Sequence, residues 1–199
     1  MNEIKLFPLS SMVLPEGKMS LRIFEPRYKR LVAECSRQNS GFGICLLDSD
    51  AGLAPGNVSS IGTYVKIVDF ETLDDGLLGI TVSGTQRFVV ERVAAEFDGL
   101  RKAHVRWLDN WSQQKIERSQ KYISEQLQFV YRQFPQIGDL YSHCFFDDAS
   151  WVSQRWLEIL PLECTQMEQL AGQRDCSAAM HFLSMAIESS VTTQSKWSS

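Results

Sequence analysis

The residues best suited to chemistry are His143 and Cys144, with Asp147 and Asp148 close behind them. An imidazole beside a thiol can activate a nucleophile, and nearby carboxylates add the character of a metal site. The same run also reads as a loop between two helices that holds a half-buried cysteine. That plainer reading is the one adopted, with a small hydrolase built on Cys144 and His143 kept as the lesser alternative. The other two histidines, His104 and His181, stand far from His143 in the chain. Asp74 and Asp75 form an acid–base pair on paper, yet they precede Gly76, and carboxylates before glycine serve turn geometry and solvation. Glu25 and Arg27 offer an ion pair fixing a corner, or a surface pair contributing little. A phosphate-cradling loop needs G-x-x-x-x-G-K-[ST]; the stretch from Gly56 to Gly62 has the wrong spacing and no lysine. Motifs of the G-x-S-x-G and H-E-x-x-H kinds are missing too. No catalytic residue, cofactor or metal is therefore expected.

Charge narrows the partners. The net charge of -4 lacks the basic footprint of a non-specific nucleic-acid binder. Arg22, Arg27, Lys29, Arg30 and Arg37 do lie close together, but Glu25 and Glu34 interleave with them, as on a solvated helix face. The five cysteines are odd in number, widely spaced and without a C-x-x-C pair, which suits buried free thiols. The N-terminus has no basic region followed by a long apolar run, and no window approaches the ~18 apolar residues of a membrane span. A cytoplasmic protein with no membrane partner is expected.

The elements that must position these residues fall into two groups. Over 1–110 short strands dominate, with Ile4–Leu9, Met19–Ile23, Phe42–Leu47, Ile61–Phe70, Leu77–Val90 and Leu100–Leu108 as the candidates. Among them Tyr28, Leu31, Val32 and Cys35 recur at helical spacing, and Pro26 suits the first turn of a helix running to about Gln38. Ala51–Asn57 reads as an exposed loop, Asp74-Asp75-Gly76 as a hairpin turn, and Gly84 as a bulge or bend that interrupts the alternation. Over 111–189 the period becomes helical. Ile116, Ile123, Leu127, Val130 and Phe134 predict one long amphipathic helix ended by Pro135, followed by helices near Ser150–Leu160, Glu163–Ala171 and Asp175–Ser189. Residues 190–199 are polar and read as a frayed tail. The fold class is α+β with segregated elements: a β-rich lobe, then a helical lobe.

Aromatic side chains are numerous, and peptide-binding grooves use such residues. Trp107 and Trp111 flank the boundary between the lobes. They read as a hinge contact there, with the wall of an inter-lobe groove as the functional alternative.

Leu6-Phe7-Pro8-Leu9, Val13-Leu14-Pro15-Glu16-Gly17 and above all Leu21-Arg22-Ile23-Phe24-Glu25-Pro26-Arg27-Tyr28 resemble the opening of the Lon protease N-terminal domain. Phe42-Gly43-Ile44, Ile61-Gly62-Thr63, Asp75-Gly76, Gly84-Thr85-Gln86-Arg87-Phe88 and Leu157-Glu158-Ile159-Leu160-Pro161-Leu162 continue the series in order. The resemblance implies a PUA-like lobe, a pseudo-barrel with one helix, followed by a C-terminal helical bundle. It also implies a non-catalytic module that binds unfolded protein, peptide or a protein partner, standing alone without the ATPase and serine–lysine protease modules of Lon. Phe24, Glu25, Pro26, Arg27, Tyr28, Gly84, Arg87 and Phe88 become family-signature residues, mostly structural. RNA binding is the rival, because PUA-like folds elsewhere bind RNA; the acidic balance argues against it. The sequence sets no oligomeric state.

Overall fold

The computed structural model describes residues 3–48, 50, 52 and 54–195, with side chains as far as residue 187. The chain divides into two compact units, Met1–Asn110 with Glu163–Glu168, and Trp111–Leu162 with Gln169–Ser199.

The first unit holds β1 (Glu3–Leu9), β2 (Lys18–Ile23), α1 (Pro26–Gln38), β3 (Phe42–Leu47), β4 (Val58–Thr72), β5 (Leu78–Ala95) and β6 (Arg101–Trp107). The strands form one mixed sheet in the order β2-β5-β4-β3-β1-β6, and a further β5–β6 pairing closes all but β2 into a ring. The length of β5 makes this possible. Its first part pairs with β2, Lys18 opposite Ser83 through Ile23 opposite Leu78, while Phe88 to Ala95 pair with β6. This strand ends at Ala95, beyond the Val90 expected from the sequence. Strands β1 and β3 run parallel, whereas β3–β4 and β4–β5 are antiparallel pairs.

Alternation along each strand sends neighbours to opposite faces. Phe7 and Ile44 therefore join one cluster with Tyr28, Leu31, Val32 and Cys35 of α1, whereas Leu6 and Cys45 join another with Phe88 and Val105. The helix starts where Pro26 fixes the first turn and Glu25 is extended at φ -72° and ψ 137°. It stops at Asn39, which takes the left-handed conformation. Its stripe of Tyr28, Leu31, Val32 and Cys35 is buried as the spacing predicts. Each such side chain contributes roughly 1.5–3 kcal/mol relative to exposure.

Gly84 sits where β5 bulges. Tyr64 pairs with Gln86 and Val65 with Gly84, so Thr85 is the extra residue. The segment before β2 runs against the same point: Glu16 N–H donates to Gly84 O and Gly84 N–H to Gly17 O, both at 2.9 Å. A β-carbon on Gly84 would lie 2.1 Å from the Leu14 carbonyl oxygen, so close approach of two backbones is what requires glycine here. The hairpin turn at Asp74-Asp75-Gly76 forms with Gly76 at φ 78°.

The second unit contains α2 (Lys121–Gln133), α3 (Pro135–Gly138), α4 (Ala149–Ile159) and α6 (Ser177–Ser195), while α5 (Cys164–Ala171) is shared between the two stretches. The long helix expected from Ile116 begins later. Ile116 lies outside it, Arg118–Gln120 make a single 3₁₀ turn, and α2 starts at Lys121. Lys115 instead forms an isolated bridge to Asp148, and Ile116 N–H donates to Asp147 O at 3.0 Å, so backbone pairing overrides the apolar spacing. The buried face is Ile123, Ser124, Leu127 and Tyr131, whereas Phe134 is exposed. Within this unit α4 is buried on every side from Ala149 to Leu157, capped by Asp148, whose carboxylate accepts from Ser150 N–H. Helical backbone continues to Ser195, past the expected Ser189; residues 196–199, and positions 51 and 53 of the expected loop, lie outside the described residues. Among the described residues no helix is long and apolar enough to cross a membrane.

Candidate functional site

The Phe24–Tyr28 signature turns one strand into one helix, and a groove opens beside it. Extended Glu25 and helical Pro26 throw Phe24 outward, where it is 61% exposed, while Tyr28 turns in and stacks on Phe7 with ring centroids 3.8 Å apart. Arg27 holds the corner. Its Nη2 pairs with Glu25 Oε2 at 2.8 Å, Nη1 donates to Gly99 O at 3.1 Å, and its guanidinium lies 4.8 Å from the Tyr28 ring. The ion pair expected between Glu25 and Arg27 is therefore formed, with both side chains part-exposed.

The groove has a volume of about 470 Å³, within the range of ligand clefts. The end of β1 (Phe7 to Leu9) and the outer part of β2 (Ser20 to Arg22) line it, together with the signature corner, Leu47 and Arg101. Leu47 is 46% exposed, so two large apolar side chains stand at the opening. The cations are uneven in their pairing. Arg22 pairs with Asp75 and Arg27 with Glu25, whereas Arg101 has no ion pair among the described residues. Arg101 Nη1 and Arg27 Nε are buried donors without a hydrogen-bond partner. Burial holds the Arg101 guanidinium below the usual arginine range; the Tyr28 hydroxyl opposes this and Arg27 adds to it.

Arg87 and Phe88, two further signature residues, are engaged inside the first unit. Arg87 is buried, its Nη2 donates to Asp109 O and its backbone N–H to Asn110 Oδ1 at 3.4 Å, which ties β5 to the segment after β6. Burial lowers its pKa to about 10. Phe88 fills the second cluster and meets Trp107 edge-on at 6.0 Å. Trp107 also meets Tyr64 edge-on at 5.6 Å, all within the first unit. Trp111 belongs to the second unit, where it is buried and its Nε1 donates to Gln173 O at 2.8 Å.

Cys144 is half-buried in the second unit, and burial pushes its thiol up, away from the nucleophilic thiolate. The ring of His143 packs edge-on against Phe145 at 4.9 Å, and no hydrogen bond joins it to Cys144 among the described residues. No group of three or more His, Cys, Asp or Glu side chains among the described residues is placed to hold a metal there either. Asp75 Oδ1 accepts from Leu77 N–H at 3.0 Å, the turn role read from Asp-Gly.

Sequence reasoning missed Arg101 and Leu47, whose ordinary strand positions carry no local signal. It also missed the partners of Arg30, which reaches the β5–β6 hairpin, donating to Asp98 at 2.8 Å and pairing with Glu96 and Glu34. In the basic run around α1, Arg22, Arg27 and Arg30 are thus each paired with a carboxylate. Interleaved Glu25 and Glu34 were the visible part of that signal.

Residues 3–175 match the family described as the ATP-dependent protease La (LON) substrate-binding domain. The fold is similar to the crystal structure of a Lon N-terminal domain protein from Xanthomonas campestris, with 31% identity, 92% of this chain and 97% of that one covered, and a TM-score of 0.69. It is also similar to the N-terminal domain of a Mycobacterium avium complex Lon protease at 14% identity, covering 91% and 95% of the two chains with a TM-score of 0.59, a likeness of fold alone.

Proposed function

Because the chain belongs to the Lon substrate-binding domain family, we propose that it is a non-catalytic binding module that recognises unfolded or apolar segments of proteins. The observation that carries the reading is the groove at the signature corner, with Phe24 and Leu47 exposed at its opening. Exposed apolar side chains gathered at a concave site mark an interaction site. On this reading the first unit is the PUA-like lobe, the second the C-terminal bundle, and the protein works in the cytoplasm on protein partners. RNA is the poorer occupant, since Arg22, Arg27 and Arg30 are engaged by carboxylates and offer few free charges to phosphates.

A single groove gives affinities of micromolar order or weaker, about 8 kcal/mol or less. Tethering several copies raises the apparent affinity without new contacts. Calorimetry with a casein-like unfolded protein is expected to show weak binding by the free chain and tighter binding by an artificially oligomerised one. ATP turnover and casein cleavage are expected to be absent. No binding even by the oligomer, RNA binding in preference to unfolded protein, or detectable turnover would overturn the reading.

A further inference from the structure

The groove has a shape and a charge that narrow what it takes. Its two walls are strand edges. β2 is the end strand of the sheet, paired with β5 alone. On β1, pairing with β6 stops at Leu6, so Pro8 and Leu9 have β3 on one side and no strand on the other among the described residues. Proline, which has no N–H to donate, suits such an edge. Unpaired edges of this kind accept an added strand, with main-chain hydrogen bonds holding it and side-chain pockets selecting it.

The charge comes from Arg101. A guanidinium donor that is buried without a partner carries a desolvation penalty that a carboxylate would offset, and arginine forks match carboxylates in geometry. Arg22 and Arg27 already have Asp75 and Glu25. Arg101 has no such partner among the described residues, and its Nη1 is among the buried unpartnered atoms. A main chain lying along the strand edges stays at their level, so the group that reaches a buried donor is a side chain projecting from it.

We propose that the groove takes an extended, apolar segment of an unfolded protein bearing one acidic side chain, whose carboxylate is received by Arg101 while Phe24 and Leu47 contact the flanking apolar side chains. This rests on the reading of the domain as a binder of unfolded protein and specifies what that site selects.

The test uses the full chain and fluorescent ten-residue peptides of Leu, Phe, Val and Ser with a central Glu or Gln, capped at both ends, followed by anisotropy. A third peptide has the central Gln and a free C-terminal carboxylate. The Glu peptide is expected to bind roughly tenfold tighter than the Gln peptide, the scale of a charge-assisted hydrogen bond. Arg101→Gln is expected to erase that difference, and Phe24→Ala to weaken both peptides. Equal binding of the Glu and Gln peptides by the wild-type chain overturns the proposal and leaves the general binding function standing. A gain from the free C-terminus in place of the central Glu overturns the assignment to a side chain. Discrimination that persists in Arg101→Gln overturns the role of that residue; should this variant not fold, the wild-type comparison still decides. No binding of any peptide overturns both the proposal and the function beneath it.

Discussion

In the helical unit Tyr131, Tyr141, Phe146 and Trp151 pack on one another with ring centroids 5.5 to 6.3 Å apart, and fully buried Arg155 lies over the Tyr141 and Trp151 rings. Arg155 is held by both oxygens of Glu158 at 2.8 Å. In the β unit Phe24 stands in solvent and Arg101 has no carboxylate among the described residues. Both regions combine aromatic rings with arginine, yet in one the guanidinium is paired with a carboxylate and in the other, among the described residues, it is not. Aromatic content therefore does not locate a binding surface; apolar area at a groove beside a cation without a carboxylate does.

The comparison breaks most visibly at Arg155. Arg155→Ala takes the guanidinium away from a Glu158 carboxylate that is only 10% exposed, and removing one partner of a buried pair costs about 3–5 kcal/mol. Urea denaturation is expected to show that loss. Replacing both residues by methionine is expected to restore most of it, because apolar side chains of similar volume leave no charge unpaired. A single variant as stable as the wild type would mean that the helical unit is not closed in the way described.

Leu31→Ala comes next. Leu31 is fully buried in the cluster that joins α1 to the strands, and truncating a core leucine costs about 2–5 kcal/mol. The midpoint in urea is expected to fall with an unchanged slope. Gly84→Ala follows at about 1–3 kcal/mol, the usual range for forcing extra atoms into a packed site. The new methyl would press on the Leu14 carbonyl, which is backbone and cannot rotate away. If the variant melts with the wild type, the segment before β2 is free to shift.

What the sequence revealed, it revealed through local rules. Pro26 and the stripe from Tyr28 to Cys35 place α1 from Pro26 to Gln38 as observed, and Asp-Gly marks the hairpin turn. Gly84 announced an irregular strand, though the Leu14 carbonyl against it is a contact between distant segments. Ile116 misled because its spacing fits a helix, while Lys115 and Asp148 pair across the intervening α2 and α3, a contact that no periodicity reports. The groove was half legible. Phe24 to Tyr28 flagged the corner, but Arg101 matters only because folding buries its Nη1 in a groove it shares with Tyr28 and Arg27 and, among the described residues, without an ion pair, and that is a property of topology. Trp107 and Trp111 were singled out by position along the chain, and each is engaged inside its own unit.

The smallest expected effect on stability is the sharpest probe of the comparison. Phe24 belongs to the same signature as Tyr28, but Tyr28 is 8% exposed and stacked on Phe7, whereas Phe24 is 61% exposed. A ring that already faces water gains little from folding, so Phe24→Ala is expected to change unfolding free energy by no more than about 0.5 kcal/mol. Thermal melting should then be indistinguishable from that of the wild type. If the ring serves the groove, the same variant binds unfolded protein more weakly in the oligomerised chain, where tethering makes weak contacts measurable. A large loss of stability would show that Phe24 packs in the folded state more than its exposure implies. Unchanged stability with unchanged binding would leave the ring with no role in either, and would remove the β unit's claim to be the open half of the comparison.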